Sequence, residues 1–110
     1  MDFDEFKIEV YIPCKYIETL RNELNKAGAS KIGRYDHCIS VTKVEGHWRP
    51  LKKSRPYKGK QGQISKEKEC KIETRCKKTF VKSALKAIKK IHPYEEPIIN
   101  IIPILNHQFQ

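Results

Sequence analysis

The chain has no apolar stretch long enough to cross a bilayer. Its longest, Ile98 to Leu105, is interrupted by Asn100 and Pro103 and falls far short of the roughly 20 residues a spanning helix needs. No secretory leader is expected either: Met1-Asp2-Phe3-Asp4-Glu5 is acidic where a signal peptide would be basic, and no apolar run follows it. A cytoplasmic protein without membrane association is expected. None of the four cysteines forms a Cys-x-x-Cys, and in a reducing compartment free thiols are the expectation. There is no Gly-rich phosphate loop, no Ser-centred elbow and no His-Glu-x-x-His. An enzyme would have to be assembled from His37, His92, Glu95 and Glu96 with no substrate in view, so a non-enzymatic role is predicted.

What is present is a polar, basic chain of one domain's length. Its 110 residues suffice for a buried core and predict a single domain over 1–110. A hydrophobic fraction of 38% against 33% charged residues argues against wholesale disorder. Lys and Arg outnumber Asp and Glu by 23 to 13, a formal charge of +10 that favours acidic partners.

Periodicity lays out the elements. Phe6, Ile8, Val10 and Ile12 alternate with Lys7, Glu9 and Tyr11, as in a strand with one buried face. Ile17, Leu20, Leu24 and Ala27 recur at helical spacing, and Gly28 supplies a helix stop, giving a helix from about Cys14 to Ala27. The β-branched run His37 to Val44 reads as a second strand. From Glu45 to Ser65 no period survives Gly46, Pro50, Pro56, Gly59 and Gly62, so a long loop or hairpin arm is expected there. Cys70, Ile72, Thr74 and Cys76 alternate with charged neighbours in a third strand. Val81, Ala84, Leu85, Ile88 and Ile91 face one side of a second helix starting near Thr79, with lysines opposite and Pro93 closing it. A last strand covers Ile98 to Ile102.

The order β, α, β, loop, β, α, β is that of an α+β ferredoxin-like βαββαβ sandwich, with two helices on one face of a four-stranded sheet. Ile98, Ile99, Ile101 and Ile102 cannot all face those helices, which predicts self-association.

Four ordered segments carry a resemblance: Ala27 to Cys38, Gly46-His47-Trp48-Arg49-Pro50-Leu51, Ser54-Arg55-Pro56-Tyr57-Lys58-Gly59, and Ile91-His92-Pro93-Tyr94-Glu95-Glu96-Pro97. Together they resemble the PII-like and CutA-like domain inserted in YqfO-like members of the dinuclear-metal family named for the yeast NGG-one-interacting factor. The similarity runs from about Phe6 to Leu105. The last segment is also similar to its counterpart in CutA. The resemblance implies a stand-alone version of that domain, a homo-oligomer and most naturally a trimer. It also implies a small anionic ligand or a divalent metal ion bound in a regulatory or accessory capacity. The family's metal pair lies in flanking lobes outside the stretch that these residues resemble, so that dinuclear centre is expected to map to no residue here.

Arg49, Lys52, Lys53, Arg55, Lys58 and Lys60 crowd the loop without an acidic residue, with Trp48 and Tyr57 among them. Such a segment can neutralise phosphates while rings stack on bases, so a polyanion- or RNA-binding module is the alternative function; a merely solvated loop is the plain one. The resemblance points to Tyr35, His37, Arg49, Tyr57, Lys58, His92 and Tyr94 as ligand-binding residues. His92, Glu95 and Glu96 combine imidazole and carboxylates suited to a divalent metal, although three ligands within five residues fix no geometry. A rigid Pro-flanked connector with Tyr94 at a subunit contact is the plain reading of that segment. Cys70 and Cys76 lie ~20 Å apart along one strand and cannot pair with each other. Both are expected as core residues. Cys38 and His37 point to opposite strand faces, and Cys14 stands at a predicted helix N-terminus where a thiolate is favoured.

Overall fold

A computed structural model describes residues 2–110. Four strands form one antiparallel sheet in the order β2-β3-β1-β4: β1 (Glu5–Ile12), β2 (Ile39–Trp48), β3 (Ser65–Lys77) and β4 (Ile99–Pro103). Helix α1 (Ile17–Lys26) follows β1 and α2 (Val81–Ile91) follows β3, and each is entered through a 3-10 turn, Cys14–Tyr16 and Lys78–Phe80 respectively. Both turns shorten the helices expected from about Cys14 and Thr79. This is the predicted ferredoxin-like α+β arrangement.

Alternation does the work in the sheet. Register pairs Ile8 with Thr74 and Ile101, and Val10 with Ile72 and Ile99, so one face is apolar across three strands. Ile8, Val10, Ile12 and Ile72 are fully buried there against Leu20 and Leu24 of α1 and Ala84 and Ile88 of α2. Gly28 ends α1 at φ +100, and a side chain there would run into the Phe80 ring, so helix stop and packing both demand glycine. Beyond it, Ser30 is buried, and its hydroxyl lies 2.7 Å from that of Thr74. Thr74 donates its own proton to the Cys38 carbonyl at 2.8 Å, which leaves Ser30 as donor to Thr74.

The other sheet face carries no helix. Lys7 bridges Glu73 at 2.8 Å and Glu9 at 3.1 Å, and Asn100 reaches Glu9 at 3.3 Å. These charges are the wet side of the alternating strands. On the edge strand β4, Ile99 and Ile101 pack on the core while Ile102 and the preceding Ile98 stay exposed, so the four isoleucines divide between two environments.

Two expectations need correction. Of the loop or hairpin arm expected at about 45–65, the arm forms at the base and the loop is shorter, because Glu45 to Trp48 pair with Ser65 to Lys68 as a two-stranded extension and only 49–64 is irregular. Three of those four pairs are Glu45 with Lys68, Gly46 with Glu67 and His47 with Lys66, a ribbon with no apolar face and therefore no hydrophobic period to read. The start of β2 shifts likewise to Ile39, since His37 sits at φ 54, outside strand conformation. The second correction concerns the cysteines. Cys14 and Cys70 form a disulfide, with Cα atoms 5.1 Å apart, and only Cys38 and Cys76 are free. The 3-10 turn after Pro13 folds Cys14 back onto the central strand, a proximity that linear spacing does not reveal.

Candidate ligand-binding site

The β2–β3 hairpin, the 49–64 loop and the connector between α2 and β4 enclose a cavity of about 490 Å³ at one end of the sheet. Strand alternation turns Tyr11, Val44, Gly46, Trp48 and Glu69 toward it, all on the face without helices. Arg49, Tyr57 and Lys58 come from the loop, and Tyr94, Glu95 and Glu96 from the connector. The walls are aromatic: Tyr94 lies 6.3 Å from Trp48 and 5.9 Å from Tyr57, centroid to centroid.

The loop is tied down over this cavity. Trp48 Nε1 donates to the Lys58 carbonyl at 3.1 Å, the Arg55 N–H donates to Glu95 Oε1 at 2.9 Å, and the Gly62 N–H donates to the Pro50 carbonyl at 2.8 Å. Lys15, from the turn that holds Cys14, stands 5.8 Å from the Tyr57 ring and 5.6 Å from that of Tyr16. Hydrogen bonding from its ammonium first, and from the Tyr16 hydroxyl second, lowers the pKa of the Tyr57 hydroxyl.

Tyr94 is the pivot of the connector. Its hydroxyl donates to Glu69 Oε2 at 2.8 Å, and its N–H donates to His92 Nδ1 at 3.2 Å. Burial, reinforced by Glu69, raises the Tyr94 hydroxyl far above the phenol range, so it stays a proton donor. Since His92 Nδ1 accepts, its Nε2 carries the proton and donates to the Tyr11 carbonyl at 2.7 Å. Burial lowers the His92 pKa, which keeps this tautomer neutral.

The expected ligand residues are thus divided by the fold. Arg49, Tyr57, Lys58 and Tyr94 meet at the cavity, with His92 behind Tyr94 as its support. Tyr35 and His37 precede β2, a ten-residue strand or ~33 Å away from Arg49. Tyr35 is 76% exposed in a small bridge with Ile32, and the His37 N–H is used on Asn25. The metal set is not brought together either. Both ring nitrogens of His92 are committed and Glu95 binds Arg55. Among the described residues no three His, Cys, Asp or Glu side chains are gathered as a metal site. Glu69 is the site residue that sequence reasoning missed, because it alternates with the buried face of β3 and reads as solvated. Gly46 was the available signal: a glycine inside a strand often marks close approach, and a side chain there would coincide with the Glu69 carboxylate.

Residues 57–109 match the family model of the CutA1 divalent ion tolerance protein. The GTP cyclohydrolase 1 type 2 homolog of Bacillus subtilis is 37% identical over 98 residues, which cover 89% of this chain and 26% of that protein. Among solved structures, a Bacillus cereus protein related to NIF3 superposes with a TM-score of 0.80 at 29% identity, over 93% of this chain and 26% of that one. The PII-like protein CutA from Nostoc sp. PCC 7120 shares the fold, with a TM-score of 0.68 at 14% identity over 94% and 84% of the two chains. Fold and sequence together define a PII/CutA-like domain. In particular, the chain resembles a segment of the GTP cyclohydrolase 1 type 2 homologs and NIF3-related proteins, and it spans about a quarter of the length of those relatives. No described helix is long and apolar enough to cross a membrane.

Proposed function

We propose that this chain is a non-enzymatic, homo-oligomeric ligand-responsive domain, most naturally a trimer, that takes a small anionic molecule into the cavity under the 49–64 loop in a regulatory or accessory role. The observation that carries this reading is a 490 Å³ aromatic-walled cavity, of a size that suits a small organic molecule, roofed by a loop that brings Arg49 and Lys58 to it. Neither cation forms an ion pair among the described residues, so both are available to an acid group. Self-association is supported by the exposed Ile98, Ile102, Leu105 and Phe109 along and beyond the edge strand β4. A resident divalent ion at His92, Glu95 and Glu96 is not favoured, since both ring nitrogens of His92 are hydrogen-bonded and the three side chains are not gathered as a metal site. The polyanion reading has one observation in its favour: Lys52, Lys53, Arg55 and Lys60 are exposed and do not line the cavity.

Trp48 is the sole tryptophan, and its indole resonance in a labelled protein reports on the cavity directly. Small organic acids should shift it, and Arg49→Ala should abolish the response. Exchanging Lys52, Lys53 and Arg55 for Gln should leave it largely intact. Light scattering should give about three chain masses. A monomer at tens of micromolar, or a Trp48 signal unmoved by small acids while RNA binds tightly, would overturn the proposal.

A further inference from the structure

Glu69 is a carboxylate where an anion-binding cavity would not be expected to have one. It is 7% exposed, and Tyr94 satisfies only its Oε2. Oε1 receives no hydrogen bond from any described residue, yet no fully buried side-chain oxygen or nitrogen is left without a partner. Oε1 therefore keeps contact with open space, and the space that Glu69 lines is the cavity. Gly46 makes this possible, since a side chain at that position would take the place of Oε1.

The surrounding charges agree. Four carboxylates line the cavity, Glu45, Glu69, Glu95 and Glu96, against the two cations Arg49 and Lys58. Glu45, Glu69 and Glu95 each have a hydrogen bond on one oxygen, from His47, Tyr94 and the Arg55 N–H, but Glu45, Glu95 and Glu96 are exposed to water and only Glu69 is buried. A carboxylate oxygen in a largely buried setting is costly to leave without a donor, and a plain anion would aggravate rather than relieve it.

Resting on the cavity reading above, we propose that the ligand is amphoteric: an aromatic or similarly planar molecule with a cationic or amino donor received by Glu69 Oε1 and an acid group met by Arg49 and Lys58. The aromatic walls take the body of the molecule. Glu69 then discriminates by chemistry, because the same ring without its donor leaves the carboxylate unmet.

Two near-isosteric probes separate these roles, 4-(aminomethyl)benzoate and 4-ethylbenzoate, which differ by an ammonium in place of a methyl group. Titrated against the Trp48 indole resonance, the aminated acid should bind at least about tenfold more tightly, as a charge-assisted hydrogen bond requires. Glu69→Gln should erase that preference without changing the response to 4-ethylbenzoate, which also verifies that the variant is folded. Gly46→Ala, which keeps the charge but displaces the carboxylate, should erase it too. Equal affinity for the two acids, or a preference that survives both substitutions, overturns the proposal while leaving the cavity reading in place. If neither acid moves Trp48, the cavity reading itself fails and this inference with it.

Discussion

Breaking the Cys14–Cys70 bond should cost this protein a large part of its stability. The bond spans a sequence separation of 56 residues. In the loop-entropy account, a cross-link closing a loop of about this size restricts the unfolded chain by ~14 cal/mol/K, or about 4 kcal/mol at room temperature. Domains of this size hold only about 5–15 kcal/mol in total, so reduction should lower the melting temperature by ~15–30 °C. The assay is a pair of thermal melts, with and without a phosphine reductant, on protein purified without reductant, and a Cys14→Ser variant whose melt should match the reduced curve and ignore the reductant. Thiol titration supplies the independent count. The native oxidised chain should show one accessible thiol, Cys38, because Cys76 is buried and its thiol is pushed up to about 11, by burial first and by Glu5 second. Unfolded and reduced, it should show four. Superimposed melts together with four thiols in the unfolded, unreduced chain would refute the pairing and restore the free-thiol expectation.

Other perturbations test the site and its surroundings. Tyr94→Phe removes the donor from a mostly buried carboxylate and should destabilise the protein by about 1–3 kcal/mol in urea unfolding; an unchanged midpoint would disconnect Tyr94 from Glu69. His92 has a folded pKa below its unfolded value, with burial as the main cause, so the unfolded chain takes up the proton first. Its contribution to stability is complete above about pH 6.5, where the unfolded imidazole titrates, and is lost as pH falls through that range toward the folded pKa. His92→Gln should flatten this acid limb, and a limb unaltered by the substitution would exclude His92 as its source. If the exposed lysines and arginines of the loop bind RNA through roughly four to six phosphates, affinity should fall by roughly two to three orders of magnitude between about 50 and 200 mM salt. A shallow slope would leave the loop to the cavity beneath it.

Much of this architecture is legible in the sequence, for a definite reason. Where one face of an element is buried, as with Ile8, Val10 and Ile12 or with Ala84 and Ile88, the period of burial is written into the residue order. The Glu45–Trp48 and Ser65–Lys68 ribbon has no such face, so the sequence does not decide between loop and hairpin arm there, although the two stretches are paired. The site is half legible. Arg49, Tyr57, Lys58 and Tyr94 stand out in a basic, aromatic loop and a Pro-bounded connector, whereas Glu69 resembles every other wet-face carboxylate of β3. Its burial depends on Tyr94, 25 residues downstream, and on a glycine in another strand. The same limit hid the disulfide, which joins a turn to a strand across the core edge.

The sheet order has a further consequence for a chain cut in its long exposed loop. Cleavage within 49–64 would leave β1, β2 and α1 on one piece and β3, β4 and α2 on the other. In the order β2-β3-β1-β4 the two pieces alternate strand by strand, so every ladder in the sheet is an interface between them and neither owns a pair of neighbouring strands. The halves are interleaved like clasped fingers, and the Cys14–Cys70 bond joins one to the other. A nicked molecule should therefore run as a single species under native conditions and come apart only when it is both unfolded and reduced.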